Sequence, residues 1–517
     1  MRKNKKLLTL LSMMLVLVLV AVGCGTSTET PDTGDATGEV KDTLIVGQGA
    51  DVVSLDPHAT NDQPSSRVSK QIYNTLVNQN EAMELEPGLA ESWEKIDDLT
   101  WEFKLRQGVK FHNGEDFTAN DVKFTLLRAL ESAKIGHIVG AINPEGIEVV
   151  DNHTIKIATN EPFAPLLAHL AHTAAGMLNE KAVTEGGENY AQNPVGTGPF
   201  KFQEWKTGES VTLTRNDDYF ADKAKVKTVV FRNITENTAR VIELETGGID
   251  IAYDIPPTEV SRVEEDQNLV LLRDESLSTA YIGFNAGKEP YNDVRVRQAI
   301  NYAIDTDSIV EAVYQGVGKA AKGPLGTNVF GAHTDLEQYG YNLEKAKELM
   351  KEAGYENGFK ATIMTNENQQ RMDIAEIVQN QLRDINIETE VQVVEWGTYL
   401  DETAAGKHDM FILGWTTVTG DADYGLYALF HSSQFGDAGN RTFWSNDKVD
   451  ELLDAARVEA DPAKRAEYYS EAQEIIREEA PWVFTYNGEN LAGTRKNVKG
   501  FKQHPAGHHK LVSVYFE

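Results

Sequence analysis

One stretch limits the fold more than any other. Between Lys360 and Trp415, three short apolar strand candidates alternate with two helical patterns. Strand Lys360–Met364 precedes a helix from about Gln369 to Asp384. Strand Ile387–Val394 precedes a helix near Thr398–Ala405, and strand Asp409–Trp415 closes the series. A βαβαβ order returns the chain to the same end of the sheet each time, so it implies parallel strands with right-handed crossovers. Ligands of such sheets sit beyond the carboxyl ends of the strands. The loop after Trp415 is therefore the first candidate for a binding cleft.

The rest of the body has mixed grammar. Thr43 to Val46 reads as a strand, followed by a loop over Gly47–Asp62 and a helical pattern over Ser66–Leu76. Strands are expected at Trp101–Leu105 and Thr154–Ala158. Between them, Thr118-Ala-Asn-Asp121 is a capping box that opens a helix with Val122, Leu126, Ala129 and Leu130 on one face. Pro194-Val-Gly-Thr-Gly-Pro199 is a turn-rich segment, and Phe200–Trp205 with Val211–Arg215 alternates like a hairpin. Asp293 caps a helix whose Val296, Ala299, Ile300, Ala303 and Ile304 form one apolar stripe. A further helix runs from Leu343 to Ala353 and stops at Gly354.

The amino terminus sets the compartment. Arg2, Lys3, Lys5 and Lys6 precede an apolar run from Leu7 to Val22, which ends at Gly23-Cys24. A basic start, a short apolar stretch and small residues read as a secretory signal over residues 1–23. The run is shorter than the roughly 20 residues of a spanning helix. Cys24 is the only cysteine among 517 residues, so no internal disulfide can form. The junction resembles a bacterial lipobox, with Ala21 in place of the usual Leu, and implies a lipidated Cys24. Residues 24–42 carry almost no apolar side chains and read as a flexible tether, able to span about 60 Å when extended. Losing residues 1–23 removes four basic residues and no acidic one, taking the net charge from −31 to −35. Such acidity argues against nucleic acid as a partner, because a phosphate backbone needs a basic surface.

Catalytic and metal motifs are missing. Gly196-Thr-Gly198 lacks the Lys of a phosphate loop and reads as a turn. There is no HExxH and no GxSxG. His169-Leu-Ala-His172 reads as part of a packed amphipathic helix. His504, His508 and His509 are accounted for by a solvated surface rather than a metal site. Nothing assembles a nucleophile, a base and an orienting group, so no enzyme, cofactor or metal is expected. The stretch Gly414–Arg441 differs. Trp415, Tyr424 and Tyr427 offer amphipathic surfaces that can pack on a ligand, and Asp421 and Asp423 can accept from a ligand ammonium.

Several longer strings then resemble one family. They are Pro87-Gly-Leu-Ala-Glu-Ser-Trp93, Phe103–Gly114, Thr118–Val122, Gly196–Phe200, Asp293–Asp305 and Phe443-Trp-Ser-Asn446. Together they resemble the extracytoplasmic solute-binding proteins of family 5, the peptide-, nickel- and glutathione-type receptors of ABC importers. The resemblance covers about Thr43 to Glu517. It implies an α/β, two-lobed periplasmic-binding-protein-like fold of type II, with mixed sheets, an extra N-terminal subdomain and a cleft between the lobes. Lobe I would be residues 43–285 with a subdomain at 79–193, lobe II 286–489, and 490–517 a return to lobe I. It implies a monomer that binds a peptide or small solute and docks on a permease and ATPase complex. The membrane would be reached through the lipid on Cys24.

Ligand contacts are expected from Trp415, Thr416, Asp421, Asp423, Tyr424, Trp396 and Arg371. The loop departs from the dipeptide pattern, since Val418 stands where those relatives carry an Asp for the peptide amine. Thr365 stands nearest to their Arg for the carboxylate, with Arg371 close by. The string Thr419-Gly-Asp-Ala-Asp423 is closer to the glutathione-type branch. An amine partner is accordingly expected at Asp423. A secreted peptidase and a signalling receptor are the alternatives of other classes.

Overall fold

The computed structural model describes residues 41–517. Cys24, the signal and nearly all of the tether lie outside them. Among the described residues no helix is long and apolar enough to cross a membrane.

The βαβαβ reading holds. Strand Lys360–Asn366 pairs in parallel with Glu388–Val394 on one side and with Met410–Thr416 on the other. Helices Gln369–Leu382 and Trp396–Ala404 make the crossovers, capped by Asn368 and Glu395. A second parallel set lies at the other end of the same sheet. There Thr43–Gln48 runs between Thr228–Asn233 and Ile251–Tyr253. The hairpin Phe200–Lys206 with Ser210–Arg215 continues that edge.

Two long strands join the sets. Leu269–Phe284 and Trp482–Arg495 run antiparallel, with Leu269 opposite Arg495 and Gly283 opposite Trp482. Sixteen residues of strand extend about 50 Å, enough to serve both halves. The Ser278–Phe284 half pairs with Met410–Thr416, while the Ala492–Thr494 half pairs with Ile251–Tyr253. Their mutual register slips between Glu275 and Thr279, and again between Ala280 and Tyr281. Such irregularities bend a ladder and increase its twist. These two strands are therefore shared by both parallel sets.

A separate four-stranded sheet, in the order Ala90–Lys95, Thr100–Leu105, Thr154–Thr159 and Ile142–Asp151, forms the extra subdomain. Helix Ala119–Leu130 covers it, and the Thr118–Asp121 capping box is present. The turn at 194–199 is glycine-bearing for a steric reason. A Cβ on Gly196 or Gly198 would sit inside van der Waals distance of the Ile72 carbonyl, at the end of helix Gln63–Ile72. That helix starts earlier than the apolar pattern suggests, because Asp62 caps it and Pro64 opens its first turn.

Candidate functional site

A cleft of about 430 Å³ lies between the carboxyl edges of the two parallel sets. Lobe II contributes the ends of its strands and the helix starts behind them. Trp415 and Thr416 leave strand Met410–Thr416 and line the cleft, as do Val418, Tyr424, Trp396 and Arg371. The Trp415 and Tyr424 rings lie 5.1 Å apart. Arg371 sits in the first turn of helix Gln369–Leu382. Its guanidinium stacks over Trp396, 5.5 Å from the ring centre, and donates to Asn366 Oδ1 at 2.9 Å.

Lobe I supplies the opposite wall. Asp62 Oδ2 accepts from the Trp396 indole at 3.4 Å across the cleft. Lys134 reaches Asp401 at 2.9 Å and Asp437 at 3.6 Å at the mouth, and Asn237 meets Gln370 at 3.2 Å. Asp254 follows strand Ile251–Tyr253 with φ 54°, a left-handed conformation that costs a non-glycine residue energy. It lies deep in the molecule but is half exposed to the cleft, where Arg67 holds it through both guanidinium nitrogens. Burial pushes its carboxyl up, and Arg67 overrides this to bring it down to about 2.

The hydrogen bonds at Tyr424 settle a tautomer. His172 Nδ1 accepts from the Ala174 N–H at 3.0 Å, and burial keeps the ring neutral, well below its ordinary pKa. The ring proton is therefore on Nε2, which donates to Tyr424 Oη at 3.1 Å. Asn61 Nδ2 donates to the same oxygen at 2.8 Å. Tyr424 accepts both, so its own proton remains to be given.

Five of the expected contacts thus converge on the cleft, and two do not. Asp421 caps helix Ala422–Phe430 and is held by Arg465 Nη2 at 2.8 and 2.9 Å. Asp423 is 1% exposed, 3.0 Å from Arg457 Nε and 3.1 Å from His169 Nε2. Burial pushes the Asp423 carboxyl up, but Arg457 and His169 hold it below the usual range. Neither carboxylate lines the cleft, so the expected amine partner at Asp423 is corrected to an internal ion pair. Tyr427 turns the same way and carries Arg457 on its ring, 3.7 Å from the centre. The carboxyl-terminal histidines also differ from expectation. His504, His508 and His509 are buried, and His508 lines the cleft beside Gln63, 2.6 Å away. Arg67, Asp254 and Arg441 were not singled out from sequence. Asp254 could have been flagged by its place after a strand end and Arg441 by the Gly414–Arg441 loop, whereas nothing marks Arg67 within helix Gln63–Ile72. Among the described residues no group of three His, Cys, Asp or Glu side chains could hold a metal.

Comparison with known proteins agrees with this architecture. Residues 84–437 match the family described as bacterial extracellular solute-binding proteins, family 5. The chain is 33% identical to heme-binding protein A of Haemophilus influenzae over 478 residues, covering 86% of this chain and 87% of that one. It is 32% identical to the dipeptide-binding protein of Escherichia coli K12, covering 87% and 90%. The solved periplasmic binding protein DppA of Helicobacter pylori, in complex with the peptide STSA, superposes with a TM-score of 0.87 at 32% identity. That match covers 92% of this chain and 98% of that one.

Proposed function

The chain belongs to family 5 of the bacterial extracellular solute-binding proteins, and on that premise we propose that it is the peptide-capturing receptor of an ABC importer. The observation that carries this reading is the pairing of the two lobes across one cleft, through Trp396 with Asp62, Gln370 with Asn237, and Asp401 with Lys134. A ligand touching both walls adds contacts that exist only when the lobes meet. It therefore shifts the population toward the closed form, which presents a continuous surface to a permease. The strand ends offer main-chain groups for a peptide backbone, so side chains can vary. In this reading the protein acts as a monomer outside the cytoplasmic membrane, held there by a lipid on Cys24, and has no catalytic step. Replacing Cys24 with Ser releases the protein from the membrane fraction if the lipid is its anchor.

The test is native mass spectrometry of protein purified from cells, followed by a thermal-shift screen of short peptides. A ligand at one hundred times its Kd stabilises the folded form by about 2.7 kcal/mol. A concentration-dependent rise in melting temperature is expected. Peptide hydrolysis during incubation, or no response to any peptide, would remove the proposal.

A further inference from the structure

Donors and acceptors around the cleft are unequally spent. Five carboxylates line it, and all five are engaged by groups of the protein itself. Asp62 accepts from Thr60 at 2.7 Å, from the Ser65 N–H at 3.1 Å and from Trp396. Asp254 holds Arg67. Glu489 pairs with Arg273 at 2.9 Å and accepts from the Gly318 N–H. Asp401 and Asp437 share Lys134, which leaves one negative charge in surplus. That surplus sits at the mouth, where the two side chains are 71% and 41% exposed and water screens them.

The cations divide differently. Arg67 and Arg240 are saturated, Arg240 by the carbonyls of Tyr253, Ile234 and Asp254 and by Asn237. Arg371 and Arg441 are not. A guanidinium carries five N–H donors and stays charged in any protein setting. Arg371 uses one on Asn366, and Arg441 uses one on Thr403 Oγ1 at 3.2 Å. Among the described residues neither is within ion-pair distance of a carboxylate, although Arg441 is only 9% exposed. Both line the same cleft. The unspent Tyr424 proton adds a further donor to this cleft.

We propose that the cleft selects an anionic, carboxylate-rich solute, whose carboxylates are taken by Arg371 and Arg441, and offers a free amine only carboxylates that the protein's own donors already engage. The inference rests on the peptide-receptor reading and narrows it to peptides with blocked amino termini or acidic side chains. The physical reason is compensation. A buried guanidinium left without an anion costs free energy that a ligand carboxylate recovers, and a bidentate carboxylate matches its fork. A zwitterionic peptide gains the same contact but must also desolvate an ammonium in a cleft whose lining carboxylates are already engaged by the protein.

Calorimetry on the full mature chain tests this with a matched panel: Ala-Ala, N-acetyl-Ala-Ala, N-acetyl-Ala-Ala-amide, N-acetyl-Glu-Glu and citrate. The expected order follows negative charge, with N-acetyl-Glu-Glu at least tenfold tighter than Ala-Ala and the neutral amide weakest. R371Q and R441Q should each remove most of that advantage while the ligand-free melting temperature stays close to wild type. Should one variant fold poorly, the wild-type panel alone still decides. Ala-Ala binding as tightly as N-acetyl-Glu-Glu overturns the proposal, as does an unchanged preference in both variants. Citrate binding without any peptide binding supports charge selection and removes the peptide reading. No response to any member overturns charge selection.

Discussion

Asp423 shows how far a residue's chemistry depends on where it is folded. As a sequence position it is an acid in a polar loop, yet in the structure it ties the helix after that loop to His169 of the subdomain and to Arg457. Asp423→Asn would leave Arg457 buried without its anion. Breaking such a pair from one side costs about 3–5 kcal/mol. A clear fall in the ligand-free melting temperature is the expected outcome, read by circular dichroism. Its pKa in the fold lies below the ordinary 3.8, so this stabilisation is in place above that value and is lost as pH falls further. At Gly196 the cause is space instead of charge. Gly196→Ala drives a methyl into the Ile72 carbonyl, and overpacking of this kind costs about 1–3 kcal/mol or more. Urea titration at neutral pH would show it as a lower midpoint.

At the scale of elements, the parallel set of lobe II was legible because its strands and crossover helices have distinct periods and lengths. The carboxyl-end rule then located Trp415, Thr416 and Tyr424 on the cleft without any structure. Contacts between distant segments were not legible. Nothing at Lys134 announces Asp401 or Asp437, and no pattern near Asp62 announces Trp396. Burial of His504, His508 and His509 was missed for the same reason. Their polar string packs under Gln63 and Tyr253, far away in sequence. The crossing strands hid their double role too, since a strand that serves two lobes has the same alternation as one that serves a single sheet. Lys134→Ala tests the contact at the mouth. The ion pairs are partly exposed and worth about 1 kcal/mol at most, so ligand affinity should fall less than about tenfold. Small-angle scattering of the ligand-free variant should show a more open particle, and a tighter complex would contradict this role.

The whole molecule holds many histidines neutral. Burial lowers His58, His137, His408, His504 and His509 to about 3 and His112 to about 4. His137 is half-buried, its ring stacked 6.3 Å from Tyr424 where the subdomain meets lobe II, with both ring nitrogens shielded and without a partner. Each such ring binds a proton near pH 6.5 when unfolded but resists it when folded. Stability is thus fully present above about 6.5 and declines as pH drops toward 3. Melting temperature should fall steeply from pH 6.5 to 4, and His137→Phe should flatten part of that slope. A flat profile over this range would count against neutral burial.

The two crossings through the hinge bring the chain back to where it began. Lys41 lies over the Phe516 ring, 5.1 Å from its centre, and its ammonium pairs with Asp250 at 2.6 Å. The carboxyl-terminal strand Tyr515–Phe516 pairs with Val498–Lys499 beside it. Both ends of the described body therefore belong to lobe I. A pull on the chain ahead of Lys41 is borne by that lobe alone and never passes along the hinge strands. Lobe II is free of that load, and on the proposed reading the work of closing comes from the ligand alone.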